Sequence, residues 1–247
     1  MEEPLDDVLT NDGLFSLRAL RLHLHGEPIL EQEAKKINDA APLLKEADPS
    51  QAMLLLRDIL LTDQIGCWML SFIPVFTTLF PGLAPTVGFD QHTRWHAHTL
   101  YVHITHVVAG VQPDFITRLA AVLHDNGKVR TVSVENKEDG SFVYHFPGHP
   151  AVSEDMARPI LKKYGLPEEE AKEILFLIGR HDNTIAPTPK SVRKILSRIL
   201  NLGLGHPLLT LKRLLDIQKS DHADHTMLVP IPSEEILHIA DKILAEI

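Results

Sequence analysis

Apolar residues recur at every third or fourth position through most of the chain. "GLFSLRALRLHLHG" (13–26) carries Leu14, Leu17, Leu20 and Leu24 at that spacing, which predicts a helix with one buried face, and a Gly-Glu-Pro break follows it. "ILEQEAKKINDAAPLL", "PSQAMLLLRDILLT" and "IGCWMLSFIPVFTTLF" read as further short helices divided by Pro, Gly and Asp. In "PDFITRLAAVLHD" (113–125), Pro113 suits a first helical turn, and Phe115, Leu119, Val122 and Leu123 point toward a core. "SEDMARPILKKYG" predicts a helix bent by Pro159 and closed by Gly165. "PEEEAKEILFLIGRHD" opens on Pro167 and three glutamates, favourable beside the positive end of a helix dipole. "SVRKILSRIL", "LLTLKRLLDIQKSDHADH" and "SEEILHIADKILAEI" complete the helical set. One stretch departs from this period: "RTVSVENKEDGSFVYHF" (130–146) holds two β-prone runs around a polar loop ending at Gly140, which predicts a hairpin. The expected fold is therefore mostly α, a helical bundle with one small β-hairpin. Motif content changes near residue 90, dividing a helical N-terminal region (1–90) from the remainder (91–247).

Composition narrows the function. The 247 residues are enough for a sizeable core, and 24 basic against 33 acidic groups give a net charge of −9. That balance disfavours an extended footprint on nucleic-acid backbone, although a local basic patch is compatible with it. The single cysteine, Cys67 in "GCWMLSF", excludes an intramolecular disulfide, fits a reducing compartment and reads as a small core hydrophobe. The acidic start "MEEPLDD" is unlike a signal peptide, and the longest apolar run (67–80) is short of a membrane span and contains Pro74. A cytoplasmic protein without membrane contact is expected. Trp68 and Trp95 read as packing residues.

The 15 histidines change the picture through their placement. His103 lies in "RWHAHTLYVHITHVV"; His124 and Asp125 close "FITRLAAVLHD"; His149 follows the hairpin in "HFPGHP"; His181 ends "ILFLIGRHD"; Asp221 lies in "QKSDHADH". Imidazole and carboxylate on buried faces are costly unless paired or metal-bound. Ligands at helix ends can converge on one cleft while each helix keeps its apolar face in the core. Neutral imidazole and carboxylate suit Mn, Fe, Co, Ni or Zn, with Mg possible at the oxygen-rich end. Isolated histidines such as His23, His25, His206 and His238 read as surface groups or satisfied core groups.

The order H…HD…H…H…D resembles the HD-domain metal-dependent phosphohydrolases. It is most similar to the HD region of bacterial CCA-adding tRNA nucleotidyltransferases. "GFDQHTRWHAHTLYVH", "PDFITRLAAVLHDNGKVRT", "YHFPGHPAVSEDMARPIL" and "LLDIQKSDHADH" carry the likeness, and "LFSLRALRLHLHGEPILEQEAKKINDAAPLL" resembles the neck helices preceding it. No Gly-Ser turn with a paired Asp-x-Asp is present, so CCA addition by this chain alone is not expected, and Arg18 and Arg21 become ordinary solvated charges. Asn126 stands where the family has an apolar residue, and "HIT" replaces His-Thr-Leu.

On the family register the ligands are His103 rather than His98, His124, Asp125, His149, His181, and Asp221 rather than Asp224. His222 and His225 fall at the periphery. His96, seven residues before His103, would share a face with it on one helix and is a supporting or substrate-side candidate. The resemblance implies one or two divalent metals. Asp125 would bridge two of them, with His103, His124 and Asp221 on one and His149 and His181 on the other. A metal-activated water then attacks a phosphate mono- or diester, a nucleotide or cyclic phosphodiester, and Lys128 neutralises the phosphoryl oxygen. A non-catalytic module binding tRNA or a protein partner is the second class. A mixed-valence iron oxygenase is a third, from which the likeness points away. Oligomeric state has no signature in the sequence.

Overall fold

The computed structural model describes residues 12–226 and 230–246. The acidic start at residues 1–7 lies outside them. Among the described residues five α-helices come first: α1 (Phe15–Leu22), α2 (Glu31–Ala40), α3 (Pro49–Leu61), α4 (Ile65–Ser71) and α5 (Ile73–Leu79). Then come α6 (Leu100–Gly110), α7 (Phe115–Leu123) and the single turn α8 (Lys128–Thr131). The strands β1 (Ser133–Asn136) and β2 (Phe142–His145) follow, and α9 (His149–Lys163), α10 (Glu168–Arg180), α11 (Pro189–Leu200), α12 (Pro207–Ala223) and α13 (Ser233–Leu244) close the fold. None of the described helices is long and apolar enough to cross a membrane.

Helix starts follow local chemistry. Asp48, Asp114 and Thr188 each accept a first-turn backbone N–H, from Gln51, Thr117 and Ser191, satisfying donors the helix leaves open. The central helix is α7, whose nine side chains are all buried. It packs against α3, α6, α10 and α12. Arg118 is the charged exception on it, and its guanidinium donates to the Thr62 carbonyl at 2.7 Å and to that of Leu60, closing the open end of α3. Asp114 accepts from Arg213, which also donates to the buried Glu173, so one ionic chain ties α7, α12 and α10. Buried apolar residues from Leu14 to Ile243 form one continuous cluster, which joins the helices before residue 90 to those after it.

The hairpin falls inside the predicted stretch, with Ser133 paired to His145 and Asn136 to Phe142. Arg130 and Thr131 belong to α8 instead. Three expectations need correction. Cys67 is exposed: Ile65, Trp68 and Met69 turn the buried face of α4 inward, and Cys67 sits opposite. The run 65–80 is two helices broken at Phe72, because Pro74 cannot donate to a continuing helix and starts α5 instead. Helix α9 begins earlier than predicted, at His149, and continues through Pro159. Gly165 does close it, with φ of 65°.

Candidate metal centre

Helix ends build the site. His124 is the C-cap of α7 and His181 the C-cap of α10, while His149 is the first residue of α9. His103 lies in the first turn of α6 and Asp221 in the last turn of α12. Their side chains converge, and each is buried. His103, His124, Asp125 and Asp221 form one group able to hold an ion; Asp125, His149 and His181 form another, and Asp125 is common to both.

The backbone fixes how the rings face. His124 Nδ1 lies 2.7 Å from the Ala121 carbonyl, His181 Nδ1 2.7 Å from that of Ile178, and His149 Nδ1 2.8 Å from that of Phe146. A carbonyl can only accept, so each Nδ1 carries the hydrogen and each Nε2 presents a lone pair to the cleft. The two cap histidines thereby satisfy last-turn carbonyls that would otherwise go unpaired. His103 donates from Nδ1 to Asp224 Oδ2 at 2.7 Å, leaving its Nε2 3.0 Å from Asp221 Oδ1 and 3.4 Å from Asp125 Oδ2. His149 Nε2 and His181 Nε2 stand 3.2 Å apart. Two lone pairs at that distance repel unless a cation or proton lies between them.

The centre fits a divalent metal on its own chemistry. Both oxygens of Asp125 and the Nε2 atoms of His103 and His124 are buried without a hydrogen-bond partner. Unsatisfied buried acceptors are costly, and here they cluster around one point. Charge agrees: two buried carboxylates, Asp125 and Asp221, face one ammonium, Lys128, whose Nζ is 2.7 Å from Asp125 Oδ2. Burial alone would raise Asp125, but the charges of His124 and Lys128 hold its carboxyl well below the usual carboxylate range. Burial would likewise lower His103, but the surrounding carboxylates of Asp125, Asp221 and Asp224 push it up to about 10, so an ion there would take the place of a proton. Burial lowers His124, and a metal ligates the neutral imidazole.

A cleft of about 430 Å³ opens beside these groups. Trp95, Tyr144 and Phe146 line it on the aromatic side, and His96, Lys128, His222 and His225 on the polar side. Lys128 Nζ also donates to Gln91 Oε1 at 3.0 Å, which fixes the ammonium at the cleft floor. Lys128→Met keeps the side-chain length and removes the charge. It should lower turnover about 10–100-fold, or roughly 1.4–2.7 kcal/mol of barrier, with metal content unchanged. Equal turnover in the variant would remove Lys128 from the chemistry.

His96 does not share a helix with His103, since α6 begins at Leu100. A loop returns it instead, bridged to His225, with ring centroids of His96 and His103 4.8 Å apart. Burial, reinforced by Lys128, His103 and His225, lowers His96 to about 3, so its ring is neutral. Sequence reasoning set His222 and His225 at the periphery and Trp95 in packing; all three line the cleft. Trp68 is buried as expected. Asp224, weighed as a rival ligand to Asp221, stands behind the first histidine and orients it. The three-residue step from Asp221 to Asp224 at a helix end could have suggested that pairing. Among the isolated histidines, His23 contacts Glu33, His206 contacts Glu173, and His25 and His238 are exposed.

Residues 96–246 match the model of the HD domain. The CC-adding tRNA nucleotidyltransferase of Thermus thermophilus is 27% identical over 208 residues, covering 78% of this chain and 46% of that enzyme. The chain thus spans about half the length of the relative, and the likeness extends beyond the HD match into the N-terminal helices. A helical fold, a match over more than half the residues and the His-Asp cluster at its centre agree: the chain belongs to the HD domain family.

Proposed function

We propose that this protein is a metal-dependent phosphohydrolase acting on a phosphate mono- or diester of nucleotide size. The inward-facing Nε2 atoms of His103, His124, His149 and His181, each ring pinned through its own Nδ1, carry the reading. Membership of a family made up largely of metal-dependent phosphohydrolases supports it.

His103, His124 and Asp221 would hold one ion, His149 and His181 a second, with Asp125 contributing an oxygen to each. When bound, a divalent cation supplies Lewis acidity and lowers the pKa of water from 15.7 toward about 7. The chain's own residues do the rest. Asp125 fixes the charge at the centre of the cleft, and Lys128 offers a localised positive charge to a phosphoryl oxygen. Trp95, Tyr144 and Phe146 form an apolar wall on which a base can stack, and they exclude water from that side. His96, neutral beside His103, can accept a hydrogen bond from a substrate hydroxyl.

A panel of p-nitrophenyl esters, mononucleotides and cyclic nucleotides, assayed with Mn, Fe, Co, Ni, Zn and Mg in turn, tests the proposal. Hydrolysis that depends on metal is expected. Bound metal with no turnover of any substrate would contradict it.

A second reading, an RNA-binding module, has one observation behind it. Helix α11 contains no acidic residue and exposes Lys190, Arg193, Lys194 and Arg198, against an overall charge of −9. The hollow bounded by Lys194 and Arg198 adjoins a smaller one that shares His181 and His222 with the metal cleft. On that reading, salt-sensitive tRNA binding accompanies the absence of hydrolysis.

A further inference from the structure

A second group of ligating side chains lies behind the metal centre. His98 precedes α6, His106 follows His103 by three residues on α6, and Asp224 caps α12. Each offers one ligand atom, and these atoms lie within 4.8 Å of one another. The ring of His98 stands edge-on to that of His106, with centroids 4.7 Å apart. Asp224 divides its two oxygens: Oδ2 accepts from His103 and Oδ1 lies 2.6 Å from His106 Nδ1.

The donor set is two imidazoles and a carboxylate, which suits zinc and its transition-metal neighbours. With bonds of about 2.0–2.2 Å, tetrahedral ligands stand roughly 3.4 Å apart. Rotation of His98, which is exposed, closes the remaining distance. Exposure also leaves the other coordination positions to water. We propose that His98, His106 and Asp224 form an outer binding site for a zinc-like divalent ion, separate from the cleft and joined to it through Asp224. The ion draws on the carboxylate that orients His103, so occupancy outside and ligation inside are linked, and each affinity responds to the other. This inference does not depend on the hydrolase reading.

The test uses the whole chain carrying Cys67→Ser, since the exposed thiol is itself a zinc ligand. Chelator-treated protein is titrated with Zn²⁺ at neutral pH, and bound metal is counted by elemental analysis and calorimetry. The same background with His98→Ala and His106→Gln should hold one equivalent fewer, while the tight equivalents of the inner centre remain. His98→Ala alone, on an exposed side chain before α6, should weaken the outermost step at least about tenfold without altering the circular dichroism. Identical stoichiometry and isotherms in all three proteins would overturn the site, leaving an ordinary His106–Asp224 ion pair. Loss of every zinc equivalent in the double variant would also overturn it, because the cluster would then only support the inner centre.

Discussion

Asp125→Ala should strip the protein of tightly held metal and reduce phosphoester hydrolysis by more than about 10³-fold, while most helicity is kept. Asp125 is the one residue common to both ligand groups, and its two oxygens are buried without a hydrogen-bond partner. Removing it leaves Lys128 buried without its nearest carboxylate and takes one of three from His103, so a fall in stability accompanies the loss of metal. Asp125→Asn separates the two effects. The amide fills the same volume but lacks the charge that holds a cation. Metal content by elemental analysis and turnover with the best substrate should fall together in both variants. A variant that retains metal and turns over at the wild-type rate would detach this aspartate from the chemistry.

Gly127→Ala should be the most damaging methyl group that can be added near the site. A Cβ there would lie 2.5 Å from the His149 carbonyl oxygen, 2.7 Å from the Ser153 nitrogen and 2.8 Å from Ser153 Oγ. The first two are backbone atoms of α9, so no side-chain rotation relieves the clash. Gly127 also donates its own N–H to Ser153 Oγ at 2.8 Å. Its φ is −71°, within reach of any residue, so close approach and not backbone freedom demands glycine here. Overpacking of this kind costs about 1–3 kcal/mol. At roughly 2–4 °C per kcal/mol for a chain of this size, the melting temperature should fall by about 2–12 °C. Because α9 begins at His149, metal affinity should fall as well. Gly205→Ala, where nothing lies within 4 Å, is the matched control and should be near neutral. Equal melting temperatures for the two variants would show that α8 and α9 are not held as tightly as these distances require.

The helices were legible because one apolar face per element is enough to assign them, and the hairpin because its alternation is local. Element edges were less so. Phe72 breaks the run 65–80 because Pro74 two residues later begins a new helix, and the contiguous apolar sequence hides that boundary. The clustered histidines and aspartates stood out because such groups at the ends of apolar helices are costly unless paired or metal-bound. What supports them was invisible. The carbonyls of Ala121, Phe146 and Ile178 that orient three rings are backbone groups with no sequence signature. Gln91 and Asp224 reach Lys128 and His103 across separations of 37 and 121 residues, which no spacing rule reports. His96 comes beside His103 through a loop and not through the shared helix face that the spacing suggested. Cys67 failed because an apolar neighbourhood in sequence says nothing about which side of a helix a residue occupies.

Anomalous diffraction at the absorption edge of the bound metal tests the central claim most directly. The expected result is one or two peaks at bonding distance from Asp125 oxygens and from the Nε2 atoms of His124 and its facing histidines. A cleft in which those Nε2 atoms donate to ordered waters, with no anomalous peak after loading with Mn, Ni or Zn, would contradict it.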